Sequence, residues 1–211
     1  MDDRVFVQRG IGASILIGLG VWCLFKVGGY LGAFLFSLGL LGVCYLQLNL
    51  FTGQCGYVFI KHNWRKMIEM LIINLLFGYL WGAIIGLSDP AVHEAAVVKV
   101  ASWELTFGFF MKSVACGMIM FIAVDLYKMG TSLGILIGIP TFILSGFQHC
   151  IANMITMGAA LSFSWTIFVC IIGNWIGSLL IWMVKGNLPV FKKKDPRYNK
   201  LNEHWPHFID L

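Results

Sequence analysis

Hydrophobic residues fall in six long runs, 11–25, 28–50, 67–87, 101–126, 132–162 and 164–184, separated by short polar marks. The marks are Lys26, the string Lys61-His62-Asn63-Trp64-Arg65-Lys66, then Ser88-Asp89-Pro90 and Lys128-Met129-Gly130-Thr131. A helix that crosses a bilayer needs about 20 apolar residues, so most runs predict one spanning helix each. Two do not fit. The second run meets Asn49-Leu50-Phe51-Thr52-Gly53-Gln54-Cys55-Gly56 and then stays apolar to Ile60. The fifth is too long for one crossing and is interrupted by Ser145-Gly146-Phe147-Gln148-His149. Both read as helices broken at membrane depth. Backbone groups freed by a break are costly in hydrocarbon, so breaks persist where protein or a water-filled cavity satisfies them. The order helix, broken helix, helix occurs twice, and an odd number of spans per half makes the repeat inverted. Matched interruptions of this kind mark a permeation site. The pattern predicts an all-α integral membrane fold of six transmembrane helices. Residues 1–190 form a single membrane domain with repeats near 11–87 and 101–184, and 191–211 form a basic tail.

Composition strengthens this reading. The chain is 59% hydrophobic and 12% charged, against about 45–50% and about a quarter in soluble domains, and the excess has to face lipid or other embedded helices. Arg9 precedes the first run, but no small-residue cleavage site ends it, so the run is expected to be a retained helix. The net charge of +5 sits between the runs and in the tail, which is not the footprint of a nucleic-acid-binding face. The six cysteines (Cys23, Cys44, Cys55, Cys116, Cys150 and Cys170) stand singly in apolar stretches. They are expected to be buried thiols, with no disulfide framework, metal site or cofactor.

Basic residues set the orientation. Twelve lie on the side shared by the two termini: Arg4, Arg9, Lys61, Arg65, Lys66, Lys128, Lys185, Lys192, Lys193, Lys194, Arg197 and Lys200. Only Lys26 and Lys99 lie on the other side, and Lys112 falls inside the fourth run. Both termini are therefore expected in the cytoplasm, in a multi-pass protein of the cell membrane. The cluster Phe191-Lys192-Lys193-Lys194-Asp195-Pro196-Arg197 suits a topology anchor in contact with anionic lipid. Gly78, Gly82 and Gly86 in the third run, and Gly173 and Gly177 in the sixth, recur at four-residue spacing and predict close helix contacts at equivalent places in the two halves.

His149 is the one histidine inside a membrane run; His62, His93, His204 and His207 fall in loops or the tail. A titratable group within the bilayer is a functional candidate, and imidazole changes charge near physiological pH. Thr52, in the other break, offers a hydroxyl to an anion or to His149. Lys112 lies about eleven residues into the fourth run; it either raises the potential of a pore, or snorkels or pairs with Glu104 away from the path. Lys99 is placed to gather anions at a mouth. Phe36 and Phe142 have the bulk to narrow a pore.

Three motifs together resemble the formate/nitrite transporter family, over most of the chain. Phe36-Ser37-Leu38-Gly39-Leu40 leading to Leu50-Phe51-Thr52-Gly53 is similar to the family's second-helix signature. Ser145-Gly146-Phe147-Gln148-His149-Cys150-Ile151-Ala152-Asn153-Met154 resembles the fifth, and Gly173-Asn174-Trp175-Ile176-Gly177 the sixth. The resemblance implies an aquaporin-like protomer with inverted repeats, assembled as a homopentamer with one pore per subunit. Phe36 and Phe142 would form hydrophobic slits with Leu50 beside them, and Thr52 and His149 the polar pair between. Gln148, Asn153 and Asn174 would support that centre. The chain departs from the family pattern at Gln148, where Glu is common before the central His, at Gly117, and at Tyr79, where Asn is common.

The function implied is passage of small monovalent anions of weak acids, formate first, with nitrite or hydrosulfide as alternatives, and no enzymatic chemistry. Bare carboxylates do not cross two apolar slits cheaply, since desolvating an ion costs several kcal/mol. A proton from or relayed through His149 would let the neutral acid pass. A membrane-embedded haem protein is the competing class, but one intramembrane His would force a bis-His haem to bridge subunits. If the charge bias sets the topology, a C-terminal fluorescent-protein fusion fluoresces in cells and a C-terminal alkaline-phosphatase fusion stays inactive; the reverse would overturn the orientation.

Overall fold

The computed structural model describes residues 2–57 and 64–185. Residues 61–63 of the second polar mark and the basic tail from Phe191 lie outside the described residues. The described chain is helical, with no strand. Helix α1 (Asp3–Val27) begins ahead of the apolar run because the Asp2 carboxylate accepts the Arg4 N–H at 3.1 Å, an N-cap that extends the helix into polar sequence. Gly28 and Gly29 hold φ of 69° and 55°, the left-handed region open to glycine, and turn the chain into α2 (Gly29–Tyr45). Residues 46–50 are not helical. They lead into the short α3 (Phe51–Gln54) and a 3-10 turn, Cys55–Tyr57.

Helix α4 spans Trp64–Ser88 and is followed at once by α5 (Pro90–Ala101). The sequence reading gave α5 no element. Its start is nonetheless written in Asp89-Pro90, an N-cap position followed by proline at the first helical position. The expected fourth span at 101–126 is corrected to α6, Phe107–Lys128. Residue 101 ends α5, and Thr106 Oγ1 accepts the Phe109 N–H at 3.1 Å to start the new helix. The fifth run holds α7 (Leu133–Leu144) and α8 (Cys150–Ala159), and the sixth is α9 (Thr166–Val184). Among the described residues, α1, α4, α6 and α9 are long and apolar enough to cross a membrane.

Helix α1 packs on α2 and α4, and α6 packs on α7 and α9, while α4 against α8 and α2 against α7 join the two halves. The glycine seams are the closest of these contacts. A Cβ on Gly82 would overlap the Ile155 carbonyl, one on Gly86 that of Ala159, and one on Gly158 that of Tyr79. In the other half a Cβ on Gly177 would overlap the Val114 carbonyl. The seams thus receive different partners, α8 for α4 but α6 for α9, so the two glycine sets do not occupy equivalent places. Gly82→Leu and Gly177→Leu are each expected to lower the unfolding free energy by about 1–3 kcal/mol or more in detergent-titration unfolding. Gly108→Ala, where the nearest atom is Thr106 Oγ1 at 3.7 Å, should stay near wild type.

Candidate functional site: a histidine–threonine pair below a largely apolar cavity

The two non-helical segments are held by one hydrogen-bonding scheme used twice. In the first half, Asn74 of α4 accepts the Phe51 N–H with Oδ1 at 2.8 Å, and its Nδ2 donates to the Gly10 and Asn49 carbonyls, both at 3.0 Å. In the second, Asn174 of α9 accepts the Cys150 N–H at 2.8 Å and donates to the Ser113 and Gln148 carbonyls at 2.8 and 2.7 Å. Two more bonds complete the match: Asn49 N–H to the Arg9 carbonyl and Gln148 N–H to the Lys112 carbonyl, each at 3.3 Å. Both asparagines are fully buried. Each closes the first N–H of a helix that starts inside the protein, where water cannot.

This register makes Leu50 the counterpart of His149, each one residue before its strapped helix. Thr52 Oγ1 lies 2.9 Å from His149 Nε2. His149 is also the N-cap of α8: its Nδ1 accepts the Ala152 N–H at 3.0 Å. The proton count follows. With Nδ1 an acceptor, the neutral ring carries its hydrogen on Nε2 and donates to Thr52, which leaves the Thr52 hydroxyl hydrogen for a guest. Both ring nitrogens are engaged, so neither is open to an axial bond with iron. Thr52 and His149 are almost completely buried.

Phe142 stacks on the His149 ring with centroids 5.9 Å apart, and Phe36 meets Phe142 edge-on at 5.8 Å. The two phenylalanines therefore make one aromatic contact rather than two separate slits. Leu50 is buried at the N-cap position of α3. A cavity of about 290 Å³ descends to this contact, with exposed Lys99 at its mouth and buried His149 at its floor. Phe36, Phe142, Trp103, Gln148 and Asn153 are among its walls. Asn153 Nδ2 donates to Gln148 Oε1 at 2.9 Å, and Gln148 Nε2 donates to the Gly146 carbonyl at 2.9 Å.

Lys112 does not line the cavity. Its depth was overstated, because α6 begins at Phe107 and Lys112 lies in the second turn, exposed, as the register counterpart of Arg9. No ion pair joins it to Glu104 among the described residues. Its charge still reaches the mouth: partial burial first, and the Lys112 charge second, hold the Lys99 ammonium below the ordinary lysine value. At the same end, hydrogen bonds from Lys26 and Trp22 hold the Asp89 carboxyl below the usual carboxylate range.

Comparison with known proteins agrees with this architecture. A solved structure described as an FNT family ion channel superposes with a TM-score of 0.65 at 20% identity, over 87% of this chain and 88% of that one. A pentameric formate channel with formate bound superposes at 0.60 and 18% identity, over 87% and 94%. No protein-family model matches. In Bacillus subtilis (strain 168), the uncharacterized transporter YrhG is 30% identical over 72% of this chain and 68% of its own. Another, YwcJ, is 29% identical over 74% and 73%. The chain belongs to the formate/nitrite transporter family.

Within that family, two of the chain's departures have a structural account. Gly117 is a close approach: a Cβ there would overlap the Asn174 carbonyl, so the asparagine expected at this point has no room. Tyr79 stands where asparagine is common, and the buried amide of this helix is instead Asn74, which straps the first non-helical segment. Sequence reasoning missed Asn74, although it is a lone amide in an apolar run. Its distance from the non-helical segment was also a signal, since Phe51 and Asn74 are 23 positions apart and Cys150 and Asn174 are 24. Asn74→Leu and Asn174→Leu each strand one buried N–H and two carbonyls, at roughly 1–3 kcal/mol per unpaired group. Both variants should lose several kcal/mol in detergent-titration unfolding, and by similar amounts; loss in one alone would refute the shared scheme.

Proposed function

We propose that the chain forms a membrane channel or transporter for small monovalent anions of weak acids, formate foremost. The observation that carries this reading is the buried Thr52–His149 pair, whose His149 lies at the floor of a cavity that has a lysine at its mouth. The fold shared with a solved formate channel supports it. On this reading the chain has six spans, the second and fifth broken at residues 46–50 and 145–149 and related by inverted repeat. Both termini are cytoplasmic, and the pentamer named for the solved formate channel is the assembly, with one path per subunit.

The path begins at Lys99. Because its ammonium titrates below the ordinary value, the mouth is most positive in acid and loses charge as pH rises through that lowered value. The anion then meets the Phe36–Phe142 contact, whose bulk favours the smaller candidates, formate, nitrite and hydrosulfide, over lactate. Leu50 forms the apolar step on the far side of the pair. At the centre the Thr52 hydroxyl donates to the guest, oriented by Nε2–H of neutral His149. A relay through His149 adds a condition: a second ring proton on Nδ1 would face the Ala152 N–H, so proton uptake must first release the cap of α8. Proton delivery and opening of the first turn of α8 are thereby linked.

Uptake of labelled formate into proteoliposomes across about pH 5 to 8 tests this. Above its pKa, neutral formic acid falls by about tenfold per pH unit. With a relay, wild-type flux falls less steeply than that fraction, while His149→Phe follows it. Thr52→Val should lower flux at every pH. Identical profiles in wild type and His149→Phe would sink the relay, and no uptake of formate, nitrite or hydrosulfide would sink the anion reading.

A further inference from the structure

At the end of the fold where α1 and α4 begin, a groove of about 540 Å³ lies between the two helices, apart from the cavity above His149. Its rim is charged: Asp3 comes from α1, and Arg65, Lys66 and Glu69 come from α4. Lys66 Nζ reaches Asp3 Oδ1 at 2.6 Å and Glu69 Oε2 at 3.1 Å, and sits 4.7 Å from the centre of the Phe6 ring. Arg65 Nε donates to Glu69 Oε1 at 2.9 Å. Both oxygens of Glu69 are thus engaged. One group of each sign is left over: the terminal nitrogens of Arg65 and the second oxygen of Asp3 have no partner among the described residues. Both side chains are open, 88% and 84% exposed.

Below the rim the walls are apolar. Val7 and Ile72 line the groove and stay partly exposed. Ile72 also opens a stripe of exposed side chains on α4, continued by Leu76, Leu80 and Ile84, at the spacing that keeps residues on one helix face. Asp3, Arg65 and Lys66 precede the apolar runs that start at 11 and 67, so the rim stands at headgroup level and the stripe at acyl level. Half-exposed Trp64, beside Arg65, suits the same level. A protein partner would have to cover four charges, and the centres of protein interfaces are depleted of charge.

We propose that this groove binds one phosphatidylethanolamine molecule, its phosphate on the Arg65 guanidinium, its ammonium on the Asp3 carboxylate and an acyl chain along the Ile72–Ile84 stripe. Guanidinium and phosphate match as a bidentate pair. A primary ammonium has N–H groups to give a carboxylate, whereas the quaternary ammonium of phosphatidylcholine has none. Phosphatidylglycerol brings a net negative charge that Asp3 opposes. The site does not depend on which species is transported. Gly10, on the next turn of α1 from Val7, is in close contact with Ile73, and its carbonyl accepts from Asn74. The lipid therefore clamps α1 to α4 just outside the strap on the first non-helical segment.

Two measurements on the full-length protein in detergent micelles test the site. In native mass spectrometry with equal amounts of phosphatidylethanolamine, phosphatidylcholine and phosphatidylglycerol of one chain length, wild type should retain the first about tenfold over the others, the worth of one hydrogen bond to a charged group. Asp3→Asn should erase the preference over phosphatidylcholine, and Arg65→Gln should lower retention of both. Because both side chains are exposed, each variant should fold. In thermal unfolding, phosphatidylethanolamine should raise the Tm of wild type more than phosphatidylcholine does, and Asp3→Asn should lose that difference. Equal retention of the three lipids by wild type, or a preference unchanged in both variants, would overturn the site. Retention of none would leave the groove to a second copy of the chain and overturn it too.

Discussion

A backbone that stops being helical inside a membrane protein must have its freed groups satisfied by protein or by water in a cavity, and here two buried asparagines carry much of that burden. Asn74 and Asn174 each accept the first N–H of an internal helix and donate to two carbonyls, one on a neighbouring long helix and one in the non-helical segment. An amide suits this task because it presents one acceptor and two donors in a rigid plane. Aspartate would lose both donors and leucine all three groups. With the straps in place, residues 50 and 149 take matching positions ahead of their helices, and Thr52 and His149 come within hydrogen-bond distance. The central pair is a consequence of the straps and could not be built by either half alone.

The glycine seams serve the same end by a different route. α8 is only ten residues long, too short to hold its place by its own helical hydrogen bonds. It is gripped instead by α4, whose Gly82 and Gly86 meet its carbonyls directly, while its own Gly158 admits the Tyr79 carbonyl. At its outer end the His93 imidazole hydrogen-bonds the Ala159 carbonyl at 2.8 Å. Every part of α8 is thereby fixed from outside, including its N-terminus, where His149 serves as both cap and polar centre.

Much of this was legible in the sequence. Polar interruptions in two overlong apolar runs located Thr52 and His149, because hydropathy reports the cost of polar atoms in lipid wherever they fall. Lys112 was misplaced for the same reason: hydropathy runs smoothly from the end of α5 through Trp103 and Leu105 into α6 and does not register that Thr106 starts a new helix. Helix α5 was missed because most of it lies between two apolar runs, where His93, Glu94 and Lys99 lower the hydropathy that marked the other helices. Trp103 was invisible because which residues wall a cavity is a property of packing and not of composition. The aromatic pair shows the same limit, since residue type gave bulk to Phe36 and Phe142 but only the fold sets them edge to face.

Gln148 shows how a substitution can preserve a structure while changing its charge. Its main-chain oxygen accepts from Asn174 and from the Cys170 thiol, and its side-chain oxygen accepts from Asn153. A glutamate would satisfy all three. The remaining bond decides between them: Nε2 donates to the Gly146 carbonyl at 2.9 Å, where an ionised carboxylate would set oxygen against oxygen. Only a protonated glutamate, with a hydrogen to give, fits that site without rearrangement. The amide thus holds at every pH the hydrogen-bond pattern that an acid holds only when neutral. It also keeps negative charge off this wall of the cavity below Lys99.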